Sequence, residues 1–248
     1  MSEGRNRLDL ELVARKLVQS RAKAQALVQE GSVLVDGAIV TKTSTKVTGV
    51  SDIQVTNCGP NRVGRGAYKL LAALEYFKPD LKGATAADIG ASTGGFSQIL
   101  LEWGATKIYA VDVGHGQLHP SLKEDPRIFN MEGVNARYLN REQIPDLLNV
   151  VVTDASFISL KKLLPASLEL CAPGAYLFAL IKPQFEVGKG NLGKGGVIRD
   201  PDQAEQVRKD LEHWVANQPG WISLGTIDSP IKGSDGNHEY LIGAQKNA

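Results

Sequence analysis

Cysteine is scarce. The two present in 248 residues, Cys58 and Cys171, are too few and too far apart for a zinc framework or a disulfide scaffold, so both are expected to be reduced bystanders and no metal is required. Long hydrophobic runs are missing as well. Leu147–Leu148 with Val150–Val152 nearby, and Ala175–Ile181, fall far short of the roughly 20 residues of a membrane-spanning helix, so no membrane partner is expected. The opening MSEGRNRLDL has no apolar core and no small-residue cleavage site, which excludes a secretory signal and points to the cytoplasm. With 42% hydrophobic and 22% charged residues, whole-chain disorder is excluded too. A large net charge is also absent, but the total of +1 conceals an asymmetry: residues 1–69 hold 11 Lys and Arg against 6 Asp and Glu, and the remainder holds 17 against 21. A basic front on a mildly acidic body is what a nucleic-acid contact would show, and a solvated surface shows it equally.

Residues 7–55 form a compact pattern. Leu8, Leu10, Leu12, Val13 and Leu17 fall mostly at helical spacing, and Ser20 is placed to cap a second helix carrying Ala24, Leu27 and Val28 and closed by Gly31. Val33 and Val35 then alternate like a strand, Asp36–Gly37 supplies a tight hairpin, and Ile39–Val40 returns. So small an α+β module hardly buries a substantial core, and such modules usually bind something. The turn-rich, basic stretch Asn57–Gly66 separates this module from the rest of the chain. The expected division is a first domain over 1–60, a linker over 61–66 and a second domain over 67–248. In the second domain a helix over Tyr68–Phe77 precedes short apolar runs at Ala84–Ile89, Lys107–Val111, Arg127–Met131, Asn149–Thr153 and Ala175–Ile181, with a last pair near Trp221–Ile227 and Glu239–Ala244. Alternation of such runs with helical stretches predicts an α/β, Rossmann-like fold on a mainly parallel sheet. Gly188–Gly196 reads as a glycine-rich loop.

The first strand of that sheet ends in DIGASTGGF, Asp88 to Phe96. Its glycines let the backbone turn tightly and approach a ligand at the carboxyl edge of the strand, where a nucleotide-like cofactor is expected. Such a turn also suits NAD, FAD or plain helix packing. Asp112, ending the second strand about 20 residues on, can accept both hydroxyls of a ribose and sharpens the reading. Strand four ends in VVTDASFISL and strand five in ALIKPQFEVGKG, which places Asp154 and Lys182 at one sheet edge, as an ion pair or as part of a site. Lys69 in GRGAYKL and Glu239 in GNHEYLIG are, each alone, ordinary charges.

The arrangement D-x-G-x-S-x-G-G resembles the S-adenosylmethionine methyltransferase loop rather than the dinucleotide G-x-G-x-x-G. By that resemblance Asp88, Gly90, Ser92, Gly94, Gly95, Phe96, Asp112 and Asp154 are cofactor-binding candidates. Asn135 in GVNAR sits where such enzymes contact the adenine side, and a turn-forming Asn fits there equally. Lys69, Asp154, Lys182 and Glu239 occur in the order of the Lys-Asp-Lys-Glu tetrad of FtsJ-like ribose 2′-O-methyltransferases. RLDLEL, SRAKAQALVQEG and VLVDG are similar to the RNA-binding domain first described in a small-subunit ribosomal protein, the S-four type. The combination, from about Arg7 to Ile242, resembles the TlyA (haemolysin A) family of rRNA methyltransferases. The resemblance implies S-adenosylmethionine-dependent methylation of a ribose 2′-hydroxyl, on cytidine, in rRNA of ribosomal subunits. In that chemistry Lys182 steers and deprotonates the hydroxyl, Asp154 sets the charge and orientation of Lys182, and Lys69 and Glu239 position the ribose and the network. Arg7, Arg21, Lys23 and Arg65 are the candidate RNA contacts. In one place the chain departs from the family: where the family linker can carry Arg-x-Trp-Val, this chain has Pro60-Asn61-Arg62-Val63. Three rival classes stand against this reading: a membrane-active protein, disfavoured by the missing apolar segments; a dinucleotide oxidoreductase, disfavoured by the glycine spacing; and a non-catalytic rRNA-binding factor, disfavoured by the intact tetrad.

Overall fold

The computed structural model describes residues 6–29, 31–36, 38–55, 62–188, 192–193, 196–198, 200–233 and 236–247. Cys58, Gly37, Pro60–Asn61 and residues 189–191 and 194–195 of the glycine-rich loop lie outside the described residues. Two compact units divide at Arg65 and Gly66.

In the first unit, β1 (Asn6–Arg7) leads into α1 (Leu8–Ala14), followed by α2 (Arg21–Gln29), β2 (Val33–Val35), β3 (Ala38–Ile39), β4 (Lys46–Val47) and β5 (Ile53–Val55). Leu8 and Leu12, and Ala24 and Val28, are i,i+4 pairs that turn one face of each helix inward, where Val33, Val47 and Ile53 complete the core. Ser20 caps α2 as expected, its Oγ accepting from Lys23 N at 3.2 Å. Gly31 closes the helix at φ +77°, and Ser32 N reaches back to Leu27 O at 2.8 Å. Asp36 takes φ +52°, and Val35 pairs with Ala38, so the hairpin forms with its return strand at Ala38–Ile39, one residue earlier than expected. Leu10 and Leu17 do not join the core and are 45% and 40% exposed. Lys16 takes a left-handed turn at φ +58°, which ends α1 before Leu17 can share its face, and Leu10 lies on the side away from Leu8 and Leu12.

The second unit opens with α3 (Ala67–Phe77), then β6 (Thr85–Ile89), α4 (Gly95–Glu102), β7 (Lys107–Asp112), α5 (Pro120–Lys123), β8 (Ile128–Glu132), β9 (Leu148–Thr153), α6 (Leu160–Leu163), α7 (Pro165–Glu169), β10 (Cys171–Ile181), α8 (Pro201–Ala216), β11 (Trp221–Asp228) and β12 (Tyr240–Lys246). The seven strands lie in the order β11-β12-β10-β9-β6-β7-β8, with β12 antiparallel to both neighbours and β10, β9, β6, β7 and β8 mutually parallel. Strands covered on both faces read as apolar runs, as Val150–Val152 and Leu177–Ile181 do, all of them buried. β10 begins earlier than Ala175. Cys171 still pairs with Leu148, and the register shifts before Tyr176 pairs with Val150. Pro173, which has no amide hydrogen, and Gly174 at φ +78° form the irregularity that looks like a turn in the sequence. The Cys171 thiol is buried there, which pushes its pKa up to about 12. Chain order reverses direction between β6 and β9, so a crevice opens beyond their carboxyl ends, which is where open α/β sheets bind ligands.

Candidate active site

β6 delivers the chain to Gly90, whose φ is +79°. A Cβ there would lie 3.0 Å from Ala155 Cα in the turn after β9, so the close approach of the two loops requires glycine. Ser92 and Gly94 also take positive φ before α4 begins. Beneath this loop Asp88 is buried, and its Oδ2 accepts from Ser97 N at 2.8 Å and Ser97 Oγ at 2.7 Å. Burial pushes its pKa up to about 7 against the pull of Ser97. Asp88 therefore ties the first turn of α4 to the end of β6.

Asp112 joins two loops: Oδ2 accepts from Ser92 N at 2.8 Å and Oδ1 from Gly114 N at 2.8 Å. Asn135 Oδ1 accepts from Arg137 N at 3.1 Å in the turn after β8. Glu132 accepts from Gln117 N at 2.6 Å and Leu118 N at 3.0 Å. These amides, that of Leu118 foremost, hold its carboxyl down to about 2 and fix the loop that follows Asp112. Together the loops enclose a cavity of about 540 Å³ lined by Gly90, Ser92, Asp112, Asn135 and Asp154 among others. Of the other expected cofactor residues, Asp88, Gly95 and Phe96 are buried behind that lining and Gly94 caps α4, so they shape the loop rather than face the cavity.

The four charges expected to act together come from four separate elements and meet. Lys69, in the first turn of α3, places Nζ 2.9 Å from Glu239 Oε2 and 3.3 Å from Asp154 Oδ2. Lys182, at the end of β10, places Nζ 2.7 Å from Asp154 Oδ1, off the hydrogen-bonding direction, and donates to Asp154 O at 3.0 Å and Ser156 Oγ at 2.8 Å. Pro183 stops β10 at this point. Lys69, Lys182 and Glu239 are each under a tenth exposed, and Asp154 is the member open to the cavity. Two ammoniums and two carboxylates leave the chain Lys182–Asp154–Lys69–Glu239 without net charge, which is how so many ionised groups are tolerated in so little water. Glycine makes room for it twice. A Cβ on Gly66 would press Asp154 Oδ2 at 3.3 Å, and one on Gly233 would meet Glu239 Oε1 at 2.6 Å.

Two residues here escape a reading of the sequence. Ser156 is the second side-chain partner of Lys182, and its position two residues after Asp154 is the available signal. Phe157 is 90% exposed at φ +66°, lines the same cavity, and lies 5.0 Å from the Phe185 ring. A bulky aromatic seldom adopts so positive a φ, so the surrounding loop must hold it there. The expected RNA contacts Arg7, Arg21, Lys23 and Arg65 all lie in the first unit, where Lys23 and Arg65 are exposed. Arg7 and Arg21 share a partner that the sequence does not single out, the buried Asp9, at 2.9 and 3.0 Å.

The FtsJ-like methyltransferase family matches residues 62–246 and the S4 domain residues 6–53. The chain is 44% identical to the 16S/23S rRNA (cytidine-2′-O)-methyltransferase TlyA of Mycobacterium tuberculosis, over 96% of this chain and 89% of that protein. It is 38% identical to Hemolysin A of Brachyspira hyodysenteriae, over 95% of this chain and 98% of that protein. Among solved structures, a "putative hemolysin" from Streptococcus thermophilus superposes with a TM-score of 0.73 at 33% identity, covering 99% of this chain and 90% of the other.

Proposed function

The chain belongs to the FtsJ-like methyltransferases, in the TlyA (haemolysin A) group with an S4 domain at the N-terminal side, and on that premise we propose that it methylates the ribose 2′-hydroxyl of cytidine in rRNA, in the cytoplasm, with S-adenosylmethionine as donor. The observation that carries the reading is the contact chain Lys182–Asp154–Lys69–Glu239 at the rim of a cavity whose glycine turn and acidic loop suit an adenosine-bearing cofactor. The Gly90 turn, the Asp112 carboxylate at the end of β7 and Asn135 beyond β8 all line the cavity and fit that cofactor, with Asp112 as acceptor for ribose hydroxyls. When bound, S-adenosylmethionine supplies a methyl group already activated on a sulfonium.

The protein's own residues then have to place the hydroxyl and manage one proton. Asp154 divides its carboxylate between Lys69 and Lys182, so Lys182 has no full counter-ion of its own. As an ammonium it orients the hydroxyl, and once it has given a proton to solvent its neutral amine takes the hydroxyl proton as the methyl is transferred. Lys69 and Glu239 hold Asp154 from the other side and position the ribose. Phe157 offers its exposed ring to a nucleobase. The S4 domain, residues 6–53, supplies docking to structured rRNA through Arg7, Arg21 and Lys23, with Arg65 adding charge. None of the described helices is long and apolar enough to cross a membrane.

The test is to map 2′-O-methyl groups on purified ribosomal subunits incubated with the protein and S-adenosylmethionine. New methyl groups on cytidine riboses are expected, and methyl groups on bases alone would overturn the reading. Asp112→Ala should weaken cofactor binding by about 1–3 kcal/mol in calorimetry, and unchanged affinity would remove Asp112 from the site.

A further inference from the structure

Asp9 is a charged residue with no solvent exposure in the smaller unit, whose core among the described residues holds seven buried hydrophobics. Its Oδ1 accepts from Arg7 Nε at 2.9 Å, and its Oδ2 accepts from Arg7 NH2 at 3.1 Å, Arg21 Nε at 3.0 Å and Gln25 Nε2 at 2.9 Å. The donors come from the end of β1 and from α2, so one carboxylate ties two elements together. The Arg7 guanidinium, with Gln25 and Arg21 beside it, holds the Asp9 carboxyl far below the usual carboxylate range. Burying a charge in so small a core is a poor way to gain stability, since an apolar residue would serve better. What the arrangement does achieve is direction. Both guanidiniums present their Nε edges inward, and the side chains remain 36% and 55% exposed. Lys46 adds a third cation. It is exposed and lies directly opposite Arg7 in the β1–β4 pair, so three cations stand on this side of the unit against the single carboxylate of Asp9.

We propose that Asp9 is the positioning residue of the docking unit, holding Arg7 and Arg21 so that their outward nitrogens, with Lys46, receive an RNA backbone phosphate. This rests on the rRNA-docking function proposed for the same unit. Arginine suits the role because its planar fork can bond Asp9 along one edge and phosphate along another.

The experiment measures binding of the full-length protein to purified rRNA across a salt series, with melting and S-adenosylmethionine affinity as controls for folding. Asp9→Asn should bind rRNA roughly tenfold more weakly with a shallower salt dependence, and combining it with Arg21→Gln should cost less than the sum of the two single losses, because only the alignment of Arg7 is left for Asp9→Asn to remove. Wild-type affinity in folded Asp9→Asn, or fully additive losses, would overturn the proposal. Should Asp9→Asn fail to fold, Arg21→Lys decides: it keeps the charge without the fork, so a loss close to that of Arg21→Gln is expected, and unchanged affinity overturns the positioning role. If Arg7→Gln and Arg21→Gln both leave binding intact, the docking reading fails with it. If those two weaken binding while Asp9→Asn and Arg21→Lys do not, only the positioning role fails.

Discussion

Asp9 in the first unit and Asp154 in the second are each divided between two cations, and the two are built differently. Asp9 is sealed from solvent and holds Arg7 and Arg21, whereas Asp154 is 22% exposed by side chain and holds Lys69 and Lys182. Arginine cannot release its proton at working pH, so the Asp9 cluster can bind and orient but cannot take part in acid–base chemistry. Lysine can, and Asp154 faces a cavity in which a reacting group fits. In the proposed function the same electrostatic motif serves recognition in one unit and proton handling in the other, with the cation type and access to the cavity making the difference.

The comparison breaks most visibly at Lys182. Lys182→Ala should lower single-turnover methylation by about 10²–10⁴-fold with little change in cofactor affinity, because a group that receives the proton acts in the transition state. Lys182→Arg should fail nearly as badly, since it restores charge and not proton transfer. Glu239→Ala, which touches Lys69 and not Lys182, should be milder. Near-normal methylation by Lys182→Ala would mean that the second cluster, like the first, only positions.

The next largest effect concerns stability. Leu12 is fully buried in the small core of the first unit, and Leu12→Ala should cost about 2–5 kcal/mol. In a unit this small such a loss is a large share of the total, so rRNA binding should fall with it in a melting and binding series. Retained docking after loss of the first thermal transition would show that RNA contacts do not depend on this core.

The larger unit is the more legible of the two in sequence. Its strands stand out because both faces of the sheet are covered, so Val150–Val152 and Leu177–Ile181 read as unbroken apolar runs. Lys69, Asp154, Lys182 and Glu239 are named through resemblance, since residues 170 positions apart carry no local sign that they touch. Asp9 goes unnoticed for a related reason. An Asp in a first helical turn looks like a surface charge, and only packing of α1 against α2 buries it. The apolar spacing also misleads where Leu10 and Leu17 enter the pattern, because the left-handed Lys16 lies within allowed local geometry and leaves no trace in periodicity. Phe157 requires its backbone angle and its exposure to be seen.

A third carboxylate extends the comparison to a site with hydroxyl and amide partners instead of cations. Asp88 accepts from Ser97 twice, and burial raises its pKa from 3.8 to about 7. Between those two values the folded protein retains a proton that the unfolded chain has lost. The resulting stability is fully present in acid below the unfolded value and falls as pH rises toward 7, at about 1.4 kcal/mol for each pH unit crossed. Asp88→Asn keeps an acceptor for Ser97 and cannot ionise. Its melting temperature should therefore gain on the wild type as pH is raised from 5 to 8, and parallel profiles would show that Asp88 does not titrate in that window.

The smallest expected effect separates helix stability from side-chain alignment in the docking unit. Ser20 Oγ accepts from Lys23 N at an exposed helix start, and removing such a cap costs about 1 kcal/mol. The backbone bond from Ala24 N to Ser20 O, at 2.9 Å, does not depend on the hydroxyl. Neither do the bonds from Arg21 and Gln25 to Asp9, which brace the same helix from its other side. Ser20→Ala should lower the melting temperature of the first unit by a few degrees and leave rRNA affinity nearly unchanged, while Ser20→Asp should restore the stability. If Ser20→Ala instead weakens rRNA binding as much as Asp9→Asn does, fraying of α2 accounts for both losses, and the arginines are presented by helix stability rather than by the buried carboxylate.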